Sequence, residues 1–295
     1  MYRLYGLVID SELPLPEALA APPEARAQAR VRLGDVAPDG LAGGRRLGPF
    51  AWSGPGVLWL SVPGVARFLV RDGQEIVVDP HHGVDEDTVR LFLLGSPLGV
   101  LLAQRGTFAL HGNGIRLGDG CLVCCGTSGA GKSTLAAEFM RRGHQVLTDD
   151  LAPLDDECRV LPGTARLKLL PDAAKRLKLS VDGVRAVRPG VAKLDLELGA
   201  AFCAEPAPLR WVYVLGRRGR ELEITTVRGI ECLAPLRVHT YRFRLVKGMA
   251  LLSEHLEVCG RIADVARISV VTLPTRRIAP EAVADSLLAD VAAHG

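Results

Sequence analysis

The stretch Gly126-Thr127-Ser128-Gly129-Ala130-Gly131-Lys132-Ser133-Thr134 fits G-x-x-x-x-G-K-[ST], the pattern of a loop that wraps phosphate groups. The chemistry follows from the residue types. Glycines let successive backbone N–H groups face one concave anion site, and a helix starting at the end of the loop adds about half a positive charge. Lys132 would reach the β- and γ-phosphates of a nucleotide, and the Ser133 hydroxyl would ligate magnesium. Such a loop works between a strand and a helix. Cys121-Leu-Val-Cys-Cys125 is an apolar strand candidate before it, and Leu135 to Arg142 reads as a helix after it. A nucleoside triphosphate is the expected ligand.

Gly143-His144-Gln145-Val146-Leu147-Thr148-Asp149-Asp150 then reads as a short strand ending in two carboxylates. A second strand that delivers an acid beside a phosphate loop is where magnesium is held or a nucleophile activated. Residue types alone do not divide that work between Asp149 and Asp150. On the same footing His111 is a polar residue at a strand end. Further on, Arg166 and Lys168 alternate with leucines, so in a strand both share one face. That face either offsets charge during phosphoryl transfer or lies in solvent. Pro171 stands where a helix would open. The stretch from Lys175 to Arg188 is basic and suits either an acidic peptide or plain surface.

The remaining elements frame these residues. Tyr2 to Ile9, Ala29 to Leu33, Val57 to Val62, Val65 to Val70 and Glu75 to Val78 read as strands. Pro63-Gly64 and Asp72-Gly73 are placed as hairpin turns in an antiparallel meander. Trp52 and Trp59 read as core. The junction Asp79-Pro-His81-His82-Gly-Val-Asp85 divides a β-rich N-terminal region, 1–84, from a second domain, 85–295. Adjacent His81 and His82 do not share a face, which disfavours metal binding. A helix capped by Asp85 is expected to run toward Arg105 with a kink at Pro97. Thr107 to Arg116 and Cys121 to Cys125 form a hairpin about Gly118-Asp119-Gly120, so the sheet at the loop should be mixed. Later strands are expected at Leu209–Leu215, Glu221–Val227 and Ile268–Leu273, with helices at Gly229–Leu236, Phe243–Ile262 and Pro280–Ala293.

The chain has 295 residues, 48% of them apolar, and 36 basic against 33 acidic residues give +3. That composition supports a folded core. The near balance of charge, without a basic stripe interleaved with aromatics, points away from nucleic acid and from a membrane surface. Seven cysteines, an odd number in a chain of this size, disfavour a disulfide framework. Cys121, Cys124 and Cys125 read as buried small hydrophobes. The N-terminus lacks a signal-peptide pattern, and the apolar run Leu91–Ala103 is too short to span a bilayer, so a cytoplasmic protein is expected. A homo-oligomer is compatible with all of this.

Several of these residues resemble a known family. His111-Gly112, the phosphate loop, and Arg142-Gly-His-Gln-Val-Leu-Thr-Asp149-Asp150 are similar to the kinase domain of bacterial HPr kinase/phosphorylase, with the best match over residues 107–150. Gly163–Leu177 and Tyr5-Gly-Leu…Leu13-Pro-Leu-Pro16 look like shorter, divergent HPr-kinase-related proteins, some of which phosphorylate lasso-peptide precursors on a C-terminal serine. The resemblance implies an α/β, phosphoenolpyruvate-carboxykinase-like mixed-sheet phosphate-loop kinase domain behind the β-rich N-terminal region. It implies ATP and Mg2+ as cofactors and a serine of a peptide or small protein as acceptor. Asp149 then matches the catalytic base and His111 the histidine beside it, while Asp150 would hold or orient magnesium with Ser133. Arg166 or Lys168 would offset charge on the transferring group. The downstream Arg-Gly-x-Gly-Ile-x-Asp signature is absent, residues 185–197 reading Arg-Ala-Val-Arg-Pro-Gly-Val-Ala-Lys-Leu-Asp-Leu-Glu. This weakens HPr itself as substrate and leaves Asp195 and Glu197 as candidates for a second acidic metal ligand. A small-molecule hydroxyl kinase and a non-catalytic nucleotide-dependent module are the alternatives.

Overall fold

Short apolar segments punctuated by turn residues build the first part of the chain into a large sheet. The computed structural model describes residues 1–188, 191–276 and 278–294, with the Arg217 side chain left aside. Two compact units emerge: residues 1–109 with 241–257, and 110–240 with 258–295. The division therefore falls after Ala109 rather than at the polar junction before Asp85, and the first unit takes back a segment from far along the chain. The helix Leu252–Val265 carries the chain from one unit into the other.

Among the described residues the first unit holds a nine-stranded sheet. Val57–Val62, Ala66–Arg71 and Glu75–Pro80 form consecutive antiparallel hairpins as expected. Their turns use Gly64 at φ +71°, and Asp72 and Gly73 at +50° and +64°. The sheet is not purely a meander, because Leu7–Ser11, Ala29–Leu33 and Glu75–Pro80 pair in parallel. The expected strand from Tyr2 to Ile9 is a hairpin, Tyr2–Leu4 against Leu7–Ser11, turning on Tyr5 and Gly6 at φ +52° and +76°. A tyrosine in left-handed backbone is uncommon, so the turn leaves little trace in residue types.

Asp85 caps the next helix, Glu86–Leu93, accepting from the Thr88 backbone N–H at 2.8 Å and the Thr88 hydroxyl at 2.9 Å. The helix does not continue to Arg105. It ends at Leu94-Gly95, and a second helix, Ser96–Gln104, restarts with Pro97 in its first turn. Proline is tolerated there because the first N–H groups of a helix have no intrahelical acceptor. Leu98, Leu101 and Leu102 of this helix are buried with Leu58, Phe68 and Ile76 of the sheet.

The second unit is built on a mixed sheet. Its strand order is Val146–Thr148, Gly112–Leu117, Gly120–Gly126, Ala207–Gly219, Arg267–Pro274, Glu223–Val227. Gly112–Leu117 and Gly120–Gly126 form the expected antiparallel hairpin. Gly120–Gly126 then runs parallel to Ala207–Gly219, which runs parallel to Arg267–Pro274. The phosphate loop leaves the end of a strand buried along its whole length and enters the helix Lys132–Arg141. Leu135, Ala136 and Phe139 of that helix pack with Leu122, Cys124 and Tyr213 of the sheet and with Leu287 of the C-terminal helix Pro280–His294. All seven cysteines are buried and none is in a disulfide. Burial pushes the Cys125 thiol up to about 12, as expected of a packing residue rather than a reactive one. Among the described residues no helix is long and apolar enough to cross a membrane.

Candidate active site

Three backbone features set the loop. Gly126, Gly129 and Gly131 lie at φ +156°, +81° and +102°, and Gly131 immediately precedes the helix that starts at Lys132. The first N–H groups of that helix lack intrahelical acceptors, so they form a positive rim at the loop mouth. At Gly126 a Cβ would come within 2.7 Å of the Leu215 carbonyl oxygen in the neighbouring strand. Gly126→Ala is therefore expected to lower the unfolding midpoint by the several degrees that about 1–3 kcal/mol of overpacking produces, and to weaken nucleotide binding at least about tenfold. Thermal melts and calorimetric titration with magnesium–ADP would check both.

Lys132 is buried, 6% exposed, and its ammonium donates to the Gly126 carbonyl at 2.8 Å and the Thr127 carbonyl at 3.3 Å. The charge thus sits inside the loop that would surround a phosphate. Burial lowers its pKa, and Asp150, Cys125 and Asp149 push the other way.

The two carboxylates follow the strand Val146–Thr148 at a sharp turn. The Leu151 N–H donates to the Asp149 carbonyl at 2.8 Å, which places Asp150 between them at φ +65°. A non-glycine residue in that region carries strain, which tends to persist where surrounding structure or function demands it. The turn sends the carboxylates into different surroundings. Asp149 is 5% exposed and accepts from three donors: Asn113 Nδ2 at 2.5 Å and Ser133 Oγ at 3.4 Å on Oδ1, and the Lys168 backbone N–H at 2.8 Å on Oδ2. Asp150 pairs with the Lys168 ammonium at 3.5 Å.

Their acidities separate accordingly. Burial, then repulsion from Asp150, raises Asp149 to about 6, against smaller opposing effects from Lys168 and Lys193. Asp150 is also pushed up by burial, but Lys168, Lys193, His111 and Lys132 outweigh that and hold it below the ordinary carboxylate range. One proton-accepting group beside one group kept charged is a common arrangement where two acids have different tasks.

Of the residues singled out in the sequence, the structure groups Lys132, Ser133, Asp149, Asp150 and Lys168 around the loop. His111 is held by its backbone N–H, which donates to the His239 carbonyl at 2.6 Å, and its presence helps to lower the Asp150 pKa. Arg166 shares a strand face with Lys168, as the alternation predicts, yet it is engaged by Glu197 at 2.8 Å and Asp195 at 3.9 Å. Those partners come from Leu194–Glu197, which pairs antiparallel with Arg166–Leu169 and sets Glu197 opposite Arg166. Asp195 and Glu197 both lie within ion-pairing distance of Arg166. Two contributors have no motif to announce them. Asn113 is a buried amide within a strand, and Lys193 lies on a distant segment beyond the basic stretch.

The donors present fit magnesium and a nucleotide. Hydroxyl and carboxylate oxygens are the ligands magnesium prefers, and the site offers the Ser133 hydroxyl with the Asp149 carboxylate and the ionised Asp150 carboxylate. Among the described residues no cluster of three or more His, Cys, Asp or Glu side chains forms a ready-made metal cage. That suits magnesium, which retains waters and shares its coordination with substrate phosphates.

No family model and no curated protein matches this chain. Among solved structures it is similar to the Hpr(Ser) kinase/phosphatase from Coxiella burnetii at 13% identity, covering 62% of this chain and 89% of that one with a TM-score of 0.32. A likeness this remote leaves the functional reading to the residues of the site.

Proposed function

We propose that this protein is a phosphotransferase that moves the γ-phosphoryl group of ATP to a serine hydroxyl of a peptide or small protein. One observation carries this reading: a buried carboxylate, Asp149, lies 3.4 Å from the loop serine, Ser133, in surroundings whose burial favours its protonated form. A protein that merely sensed nucleotide would have no use for a base at that point.

In this reading the loop N–H groups and Lys132 hold the triphosphate, and Ser133 with Asp150 supplies protein oxygens for magnesium. Bound magnesium would neutralise phosphate charge. Asp149 accepts the proton of the acceptor hydroxyl at a carboxylate oxygen, while Lys168 offsets negative charge beside it. His111 favours the ionised form of Asp150. Phosphoryl transfer asks little covalent chemistry of a protein, so positioning and charge do most of the work. The ion pairs of Arg166 leave Lys168 as the better placed of the two basic residues.

The acceptor is tested with γ-labelled ATP, magnesium, and peptides ending in serine, a lasso-peptide precursor among them. Free serine and other small hydroxy compounds run in parallel. Label on a peptide supports the full reading, and label on a small compound only would move the protein to the small-molecule kinases. Nucleotide binding without transfer to any acceptor would overturn the phosphotransferase reading.

A further inference from the structure

The strand that follows His111 carries Asn113, which is fully buried and sits opposite Cys124 in the hairpin. An apolar residue could fill such a sheet position without leaving polar atoms to satisfy. The amide is used unequally. Its Nδ2 donates to Asp149 Oδ1 at 2.5 Å, while its Oδ1 is buried with no hydrogen-bond partner among the described residues. A buried carbonyl left without a donor costs about 1–3 kcal/mol. Turning the amide over would not relieve this at Asp149, because it would set a carbonyl oxygen against a carboxylate oxygen. The amide therefore keeps the orientation that Asp149 requires, at the expense of its own carbonyl.

The consequence is mechanical. The Lys168 N–H holds Asp149 Oδ2 from one strand, and Asn113 Nδ2 holds Oδ1 from another. Two donors on opposite oxygens, from separate elements of the same unit, fix the plane of the carboxylate. Building on the phosphotransferase reading, we propose that Asn113 is a positioning residue for phosphoryl transfer: it locks the Asp149 carboxylate in the orientation that receives the acceptor's proton. It does not touch nucleotide or acceptor itself. Its effect passes through Asp149.

The test is a double-mutant cycle on transfer kinetics with Asn113→Leu, Asp149→Asn and both together, in the full chain. Urea unfolding would verify that each variant is folded, and Asn113→Ser serves in place of the leucine variant if that one fails to fold. Misplacing a catalytic group by about 1 Å costs as much as 10²-fold, so Asn113→Leu should lower kcat by about 10–100-fold. KM for ATP should stay within about threefold, since a residue acting through the base leaves uniform binding intact. The double variant should be no slower than Asp149→Asn alone, because an aid to Asp149 has nothing to aid once the base is gone. A purely structural role predicts instead that the two losses multiply. Wild-type activity with an unchanged kcat in Asn113→Leu, or with multiplying losses, overturns the proposal and leaves the phosphotransferase reading standing. A wild-type protein that binds magnesium–ADP but phosphorylates no acceptor overturns that reading and this proposal with it.

Discussion

Phosphoryl transfer by Asp149→Asn is expected to fall by about 10²–10⁴-fold, the usual contribution of a positioned general base. Affinity for magnesium–ATP should change by no more than about threefold, as expected when a group acts in the transition state rather than in ground-state binding. The substitution keeps the volume of the side chain and one oxygen able to accept from the Lys168 N–H or from Asn113. What it removes is the capacity to take a proton, along with the negative charge and one of the two accepting oxygens. The pH dependence gives a second check on the same residue. Burial first, then Asp150, raises Asp149 to about 6, and a base acts in its deprotonated form. Wild-type kcat/KM should therefore rise about tenfold per pH unit below about 6 and level off above it. Magnesium bound beside the carboxylate would move that limb to lower pH, because a cation favours the ionised form. The limb should be missing from whatever activity Asp149→Asn retains. A different pattern, with magnesium–ATP affinity falling in step with the rate, would make Asp149 a metal ligand beside Ser133. The base role would then pass to Asp150.

How much of this was legible depends on the range over which each feature is determined. The strand–loop–helix around Gly126–Gly131, the hairpin about Gly118 and Asp119, the Asp85 cap and the helix opening at Pro171 are local, and each appears where residue types place it. Alternation set Arg166 and Lys168 on one face, but pairing with Leu194–Glu197 decided what each of them meets. That pairing joins segments far apart in the chain, so alternation alone does not show that the strand partner supplies Glu197 to Arg166. Asn113 was invisible for a related reason. A single polar residue in an apolar strand has meaning only once Asp149 is beside it. Residue types suggest one helix kinked at Pro97, yet the chain breaks at Gly95 into Glu86–Leu93 and Ser96–Gln104, because proline fits the opening turn of a new helix. The return of 241–257 to the first unit is a matter of tertiary packing and has no boundary signal in composition.

Lys132→Met is the second variant with a large expected effect, and its value lies in separating chemistry from folding. The ammonium is buried in the loop and bonded to the Gly126 and Thr127 carbonyls. A buried charge is costly, and the direction of the Lys132 shift, lowered first by burial, says the same of this one. Methionine keeps most of the side-chain length without that cost. The unfolding midpoint of the nucleotide-free variant should therefore stay level or rise slightly, provided the two carbonyls reach water. With nucleotide the outcome reverses. Removing one preorganised donor from developing phosphate charge costs about 10²–10³-fold in rate, and kcat/KM for ATP should fall at least that far. Because the lysine would reach both bridging and terminal phosphates, ATP should lose more affinity than AMP, whose single phosphate lies outside its reach. A variant folded like wild type with unchanged transfer would remove Lys132, and the loop with it, from the site. A variant that lost stability before any nucleotide was added would mean that the ammonium serves the loop's own carbonyls more than a ligand. The melt and the kinetic assay on one preparation distinguish these outcomes.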